Sequence, residues 1–180
     1  SDVYKRQAQI REVLETTLDA MAQRGLHDHV GSGFFRYTVD PGWSVPHFEK
    51  MLYDNAQLAK LYLNAGRVLG RADYSAVGFA ALDFMLTAMQ GNNGTMIASL
   101  SAIDKLGREG AYYLFDDDAL AQALTPDEER VLRAVWSLPD AAAFDYGHLL
   151  VNQAPPELAA MQLGCCLLYT SDAADDLVGV

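Results

Sequence analysis

Between residues 25 and 46 the chain carries Gly25, Gly31, Gly33, Pro41, Gly42 and Pro46, and no regular helix can cross that interval. Glycine costs a helix backbone entropy, and proline removes a backbone donor and clashes with the preceding turn. The interval is therefore read as a long ordered loop, with Phe34-Phe35-Arg36-Tyr37-Thr38-Val39 strand-like inside it. A connection of this length is uncommon in a compact chain unless it serves a function. It also separates two stretches whose apolar spacing is helical.

Upstream, Ile10, Val13, Leu14, Thr17, Leu18 and Met21 recur at helical intervals, while Glu12, Glu15, Asp19 and Gln23 fall between them. This is an amphipathic helix with one buried stripe, ending near Arg24-Gly25. Downstream, a second helix is expected from His47 to Leu69. Its apolar residues cover more than one face, as in a helix held between layers. A third is expected from Ala72 to Gln90, stopping at Gly91-Asn92-Asn93-Gly94. The runs Thr95–Leu100 and Ala111–Phe115 read as a β-hairpin around Lys105-Leu106-Gly107-Arg108.

Further helices are expected over Asp116–Leu124 and from Thr125-Pro126-Asp127-Glu128, where Thr, Pro and Glu form a capping box. Val131, Leu132, Val135 and Trp136 supply the apolar stripe of the second. Residues 137–147 read as loop, Leu149–Val151 as a short strand, and Pro155-Pro156 as the start of one more helix. The fold class is mainly α with a small β-hairpin.

Composition narrows the function classes. With 24 Asp and Glu against 13 Lys and Arg the formal charge is −11, which disfavours a phosphate-rich partner. Neither nucleic acid nor a membrane is expected as a partner. The longest apolar run, near Leu163–Tyr169, is far shorter than the roughly 18 residues of a membrane span. Cys165 and Cys166 have neither CxxC spacing nor a disulfide framework, so a reducing, cytoplasmic setting is the expectation. Residues 1–7 and 165–180 resemble peptides translated from sequencing adapters. They are expected to be non-native, leaving 8–164 as the native segment.

The chemistry-bearing residues crowd into Gly25–Ala56. His27, His29 and His47 lie there beside Asp28, Asp40, Glu49, Arg36, Trp43 and Tyr53. In the expected second helix Glu49 and Tyr53 share a face, as do Lys50 and Asp54. Several readings are open. The histidines with a carboxylate suit zinc or iron, although no fixed fourth ligand follows. His29 or His47 with Glu49 or Asp54 suits general acid–base catalysis. The same residues also suit a polar network in which Arg36, Asp28 and Asp54 hold the loop against the helix, with Lys50–Asp54 an ordinary surface pair. Gly31-Ser32-Gly33 lacks the context of a phosphate-binding loop.

The whole stretch from Gly25 to Ala56 closely resembles the long motif of the YyaL and spermatogenesis-associated protein 20-like family. Ala98-Ser99-Leu100-Ser101-Ala102-Ile103-Asp104 and Glu109-Gly110-Ala111-Tyr112-Tyr113-Leu114-Phe115 resemble a second family segment. The resemblance implies an (α/α)6 toroid of six-hairpin glycosidase type, of which 8–164 would be the N-terminal part. A thioredoxin-like domain would lie upstream. It further implies a carbohydrate-processing or carbohydrate-binding cavity, epimerase- or glycosidase-like, with a sugar-like small molecule as partner. The alternative is a non-catalytic scaffold attached to a redox domain. On this resemblance the catalytic candidates are His29, His47, Glu49 and Asp54. The binding candidates are Asp28, Arg36, Tyr37, Trp43, Lys50, Tyr53 and Asn55. No cofactor and no metal are implied, and no protein partner is identified. The chain departs from the motif at Ser32, where Gly is usual, at Phe35, where His is usual, and at Ser101, where Asp is common.

Overall fold

The computed structural model describes residues 2–136, 138, 143–153, 161 and 163. In order, the elements are α1 (Asp2–Gln23), β1 (Tyr37–Thr38), β2 (Pro46–His47), β3 (Lys50–Met51), α2 (Leu52–Leu69) and α3 (Ala72–Ala88). They continue with β4 (Ser99–Leu100), β5 (Leu114–Phe115), α4 (Asp117–Ala123), α5 (Pro126–Trp136) and β6 (His148–Leu149). The chain is mainly helical with small antiparallel strand pairs. No helix among the described residues is long and apolar enough to cross a membrane. The helix expected at Pro155-Pro156, and Cys165 and Cys166, lie outside the described residues.

The centre of the fold is the α2–α3 hairpin. Its two helices approach closely at Gly78, where a Cβ would stand 2.8 Å from Leu63 Cγ and 3.1 Å from the Ala59 carbonyl. α1 crosses this hairpin with its C-terminal half. Tyr62 donates its hydroxyl to the Leu18 carbonyl at 2.6 Å, and Tyr74 donates to Asp19 at 2.7 Å. Arg71 reaches the same Asp19 at 2.8 Å. The first core gathers Leu18, Leu26, Phe34, Tyr62, Phe84 and Met89 among others.

The stripe expected on α1 is only partly buried. Leu18 is in the core and Met21 packs against it, but Ile10, Val13 and Leu14 are exposed. α1 is instead held through the Leu18 and Glu15 carbonyls, which accept from Tyr62 and Tyr74, and through the Asp19 carboxylate, which accepts from Arg71. α1 also runs through Asp2–Gln7 as continuous helix.

Two further expectations are corrected. Helix α2 begins at Leu52 rather than His47, since His47 pairs with Tyr37, and Lys50 and Met51 pair with Leu100 and Ser99. The Glu49/Tyr53 and Lys50/Asp54 pairs therefore do not share a helical face. The second concerns the β-hairpin. Ile103 and Glu109 do bridge across a tight turn, with Gly110 N–H donating to the Ala102 carbonyl at 2.8 Å. The flanking strands, however, part from each other: β4 pairs with β3, and β5 with β6. Side chains decide this: Leu100 packs against the first core, whereas Leu114 joins Phe35, Phe48 and Ala102 in a second core with Leu149 against it.

The C-terminal helices follow local rules. Asp116 caps α4, accepting from Ala119 N–H at 2.7 Å. At α5 the capping box is present, with Thr125 N–H donating to Glu128 Oε2 at 2.8 Å and Glu128 N–H directed back at Thr125 Oγ1. Val131 and Val135 are buried, with Trp136 and Leu163 against them.

Candidate functional site

The Gly25–Ala56 stretch separates into a buried scaffold and two clefts. The scaffold is built on Lys50, which is 1% exposed and donates to Asp28 Oδ2 at 2.6 Å and to the Ser32 carbonyl at 2.7 Å. The rings of Phe35, Phe84 and Tyr113 surround its ammonium, with centroids 4.5 to 5.0 Å away. Asp28 Oδ1 accepts from the Val30 and Gly31 amides at 2.9 Å. Burial by itself would raise the Asp28 carboxyl, but the Lys50 charge and hydrogen bond, joined by these amides, hold it below the usual carboxylate range.

Asn55, on the first turn of α2, completes the scaffold. Its Oδ1 accepts from Phe34 N–H at 2.7 Å, and its Nδ2 donates to the Phe34 and Met51 carbonyls at 3.0 and 2.9 Å. The side chain thus stands in for a neighbouring strand along Phe34. Asp28, Lys50 and Asn55 are among the substrate-binding candidates that the family resemblance implies. All three are buried in packing and line neither cleft. Phe35 is fully buried against Phe48 and Tyr113, so the departure from His there alters a packed cluster. Ser32 has φ 61°, the left-handed region that favours glycine, which gives its departure a backbone meaning.

The first cleft, of about 450 Å³, is lined by Met21, Leu26, Arg36, Tyr37, Thr38, Trp43, Asp54, Gln57 and Leu58. Its volume falls within the range of small-molecule sites, about 300 to 1,000 Å³. Met21, Leu26, Trp43 and Leu58 supply apolar surface, while Arg36, Thr38, Asp54 and Gln57 supply donors and acceptors. Burial raises the Asp54 carboxyl above its ordinary range; Arg36 opposes the shift and Glu49 adds to it. Asp54 Oδ2 is buried without a hydrogen-bond partner.

The second cleft, of about 440 Å³, is lined by His47, Glu49, Ser99, Ser101, Ala102, Ile103 and Glu109. His47 stacks on Tyr37 with ring centroids 4.9 Å apart, and its Nδ1 is buried without a partner. An ion pair connects the clefts: Arg36, on the first, donates to Glu49, on the second, at 2.9 Å. Tyr53 lies beside the same guanidinium.

The four catalytic candidates therefore do not share one concavity. Asp54 lines the first cleft and His47 and Glu49 the second. His29 lines neither; its Nε2 is 3.2 Å from the Arg24 carbonyl and its ring meets His27 edge-on at 5.0 Å. Among the described residues no three His, Cys, Asp or Glu side chains are placed to hold a metal ion. Thr38, Gln57 and Glu109 line the clefts and were not singled out by sequence reasoning. Gln57 was within reach of it, since it follows Asp54 by three positions on one helix and so shares its face.

The fold and the clefts define a mainly helical protein whose long motif loop is pinned to a helical hairpin by a buried ion pair. No family model matches the chain. Human spermatogenesis-associated protein 20 is 41% identical over 113 residues, 60% of this chain and 14% of that protein. The mouse protein of the same name is 38% identical over the same length. An uncharacterized protein of Caenorhabditis elegans is 56% identical over 50 residues, 28% of this chain and 7% of that protein. The chain is thus similar to spermatogenesis-associated protein 20 over 113 of its residues, and it spans 14% of the length of the human relative.

Proposed function

We propose that the chain forms part of an (α/α)6 toroid whose first cleft binds a sugar-like small molecule. The observation that carries this reading is the division of that cleft into apolar and polar walls. A pyranose has the same division, with flat C–H faces and a rim of hydroxyls. Trp43 and Leu58 suit the faces; Arg36, Asp54 and Gln57 suit the rim. Aromatic side chains offer large, rigid contact area for such a face.

Asp54 is the proton donor in this reading, because a carboxyl raised by burial holds its proton nearer neutrality. Glu49, on the second cleft, holds the Arg36 guanidinium that lines the first. Glycosidic hydrolysis pairs such a proton donor with a second carboxyl group about 5 to 9.5 Å away. An epimerase-like reaction uses acid and base on opposite sides of one carbon. Ligand-observed NMR of the chain against neutral pyranoses, uronic acids and amino sugars tests the binding. Saturation transfer to a sugar, lost in Trp43→Ala and Asp54→Asn, is the expected result; no transfer from any sugar overturns the reading.

A second reading rests on a different observation. Asp28, Lys50 and Asn55, central to the family motif, are wholly engaged in packing. That supports a non-catalytic scaffold attached to a thioredoxin-like domain. In a full-length relative, sugar binding without turnover, unchanged in the counterparts of Glu49→Gln and Asp54→Asn, favours the scaffold over the enzyme.

A further inference from the structure

The further inference concerns Trp43 and rests on the reading of the first cleft as a sugar site. Trp43 has φ 60°, in the left-handed region that a bulky residue rarely enters. The turn around it is closely tied. Asp40 Oδ1 accepts from the Ser44 amide at 2.9 Å and from the Val45 amide at 2.6 Å. Val39 N–H donates to the Val45 carbonyl at 2.9 Å, closing the base of the turn. Arg24 anchors the tip through the Gly42 carbonyl at 3.0 Å.

The Trp43 carbonyl is fixed as well, accepting from Gly25 N–H at 2.7 Å. That approach needs glycine, because a Cβ at position 25 would stand 2.6 Å from the Ser44 carbonyl oxygen. The indole is thereby laid against the first core and along the cleft wall that also carries Arg36, Asp54 and Gln57. An off-region backbone held by this many independent contacts, beside an open cleft, is the pattern of a pre-organised site.

We propose that the Asp40 turn is a positioning device, and that it presents Trp43 as a stacking platform for a ring. The ligand class follows from the platform. A pyranoside offers a flat apolar face to the indole, whereas an open-chain hexitol carries similar hydroxyls and no such face. The cleft therefore selects cyclic over linear polyols, with Trp43 the specificity-determining residue and Asp40 acting through it.

The test measures affinity of the chain for methyl pyranosides and for a hexitol, with Trp136→Phe as background so that fluorescence reports Trp43 alone. The background is expected to bind the pyranoside about ten-fold more tightly than the hexitol. Asp40→Ala removes the acceptor. It is expected to red-shift Trp43 emission, increase acrylamide quenching and abolish the preference, with far-ultraviolet circular dichroism unchanged. Asp40→Asn retains an acceptor oxygen and is expected to restore both the emission and the preference. Trp43→Phe keeps a smaller platform and is expected to keep part of the preference, which Trp43→Ala loses. Sugar binding that Asp40→Ala and Trp43→Ala leave unchanged overturns the platform while the sugar reading stands. Unchanged emission in Asp40→Ala overturns the positioning role. Absence of binding by the background chain to every sugar overturns the sugar reading and the platform together.

Discussion

Lys50 donates to Asp28 at 2.6 Å inside a cage of three aromatic rings, across a sequence separation of 22 residues. The contact fastens the Gly-rich loop to the strand that precedes α2. Removing one partner of a buried pair leaves the other charge without compensation, which typically costs about 3 to 5 kcal/mol. Lys50→Met is expected to destabilise the chain by about that amount, read from urea unfolding midpoints. The double variant Lys50→Met, Asp28→Asn is expected to recover part of the loss, since no charge is then stranded and Oδ1 still accepts from the Val30 and Gly31 amides.

Acid sensitivity is expected to begin well above the carboxylate range. His27 has both ring nitrogens buried without a hydrogen-bond partner. Burial, helped by the neighbouring His29, pushes it down to about 3, with Asp28 opposing. In the unfolded chain a histidine titrates near 6.5. Between those values the unfolded state binds the extra proton, so stability falls as pH falls, by up to about 1.4 kcal/mol per unit. The Asp28 contribution has a different window. Its depressed folded-state value gives stability that is complete above about pH 4 and lost only as pH drops below it. Urea midpoints recorded from pH 7 to pH 4.5 should decline, and His27→Phe should flatten that decline while leaving the loss below pH 4 in place.

Ser32→Gly is expected to stabilise the protein. Ser32 stands at φ 61° with its hydroxyl buried and unpartnered. Glycine removes both penalties, the left-handed strain costing an ordinary residue about 1 to 2 kcal/mol. The greater freedom of glycine in the unfolded chain offsets part of this, leaving a gain of about 1 kcal/mol. A rise of a few degrees in melting temperature checks it; a fall would show that the Ser32 hydroxyl has a role in the loop.

Asn55 separates a polar requirement from a volume requirement. Its amide both accepts and donates along Phe34 and Met51. Asn55→Asp keeps the shape but turns a donor into an acceptor facing two carbonyls, whereas Asn55→Ala only deletes the contacts. Asp is therefore expected to be the more destabilising, with Ala costing about 2 to 4 kcal/mol on the loss of buried hydrogen bonds. Chemical denaturation of the two variants side by side decides the order.

The sequence alone determined what depends on neighbours a few residues apart. The α5 capping box, the span of α3 and the helix after Asp116 were legible because their hydrogen bonds and caps close within one turn. The chemistry-rich stretch from Gly25 to Ala56 was legible through its residue types and its resemblance to a family. Tertiary structure decided how those residues divide. The apolar spacing around Met51 suited a helix, yet the backbone of His47–Met51 went to strand partners at Tyr37 and at Ser99–Leu100. Strands of two residues carry no period to read, and their partners lie distant in sequence. Lys50, which one reading paired with Asp54 on a helix surface, instead enters the core, because the Asp28 carboxylate and three rings meet it there. For the same reason Asp54 and Glu49, close in sequence, face different clefts, with Arg36 lining the first and ion-paired to Glu49 on the second.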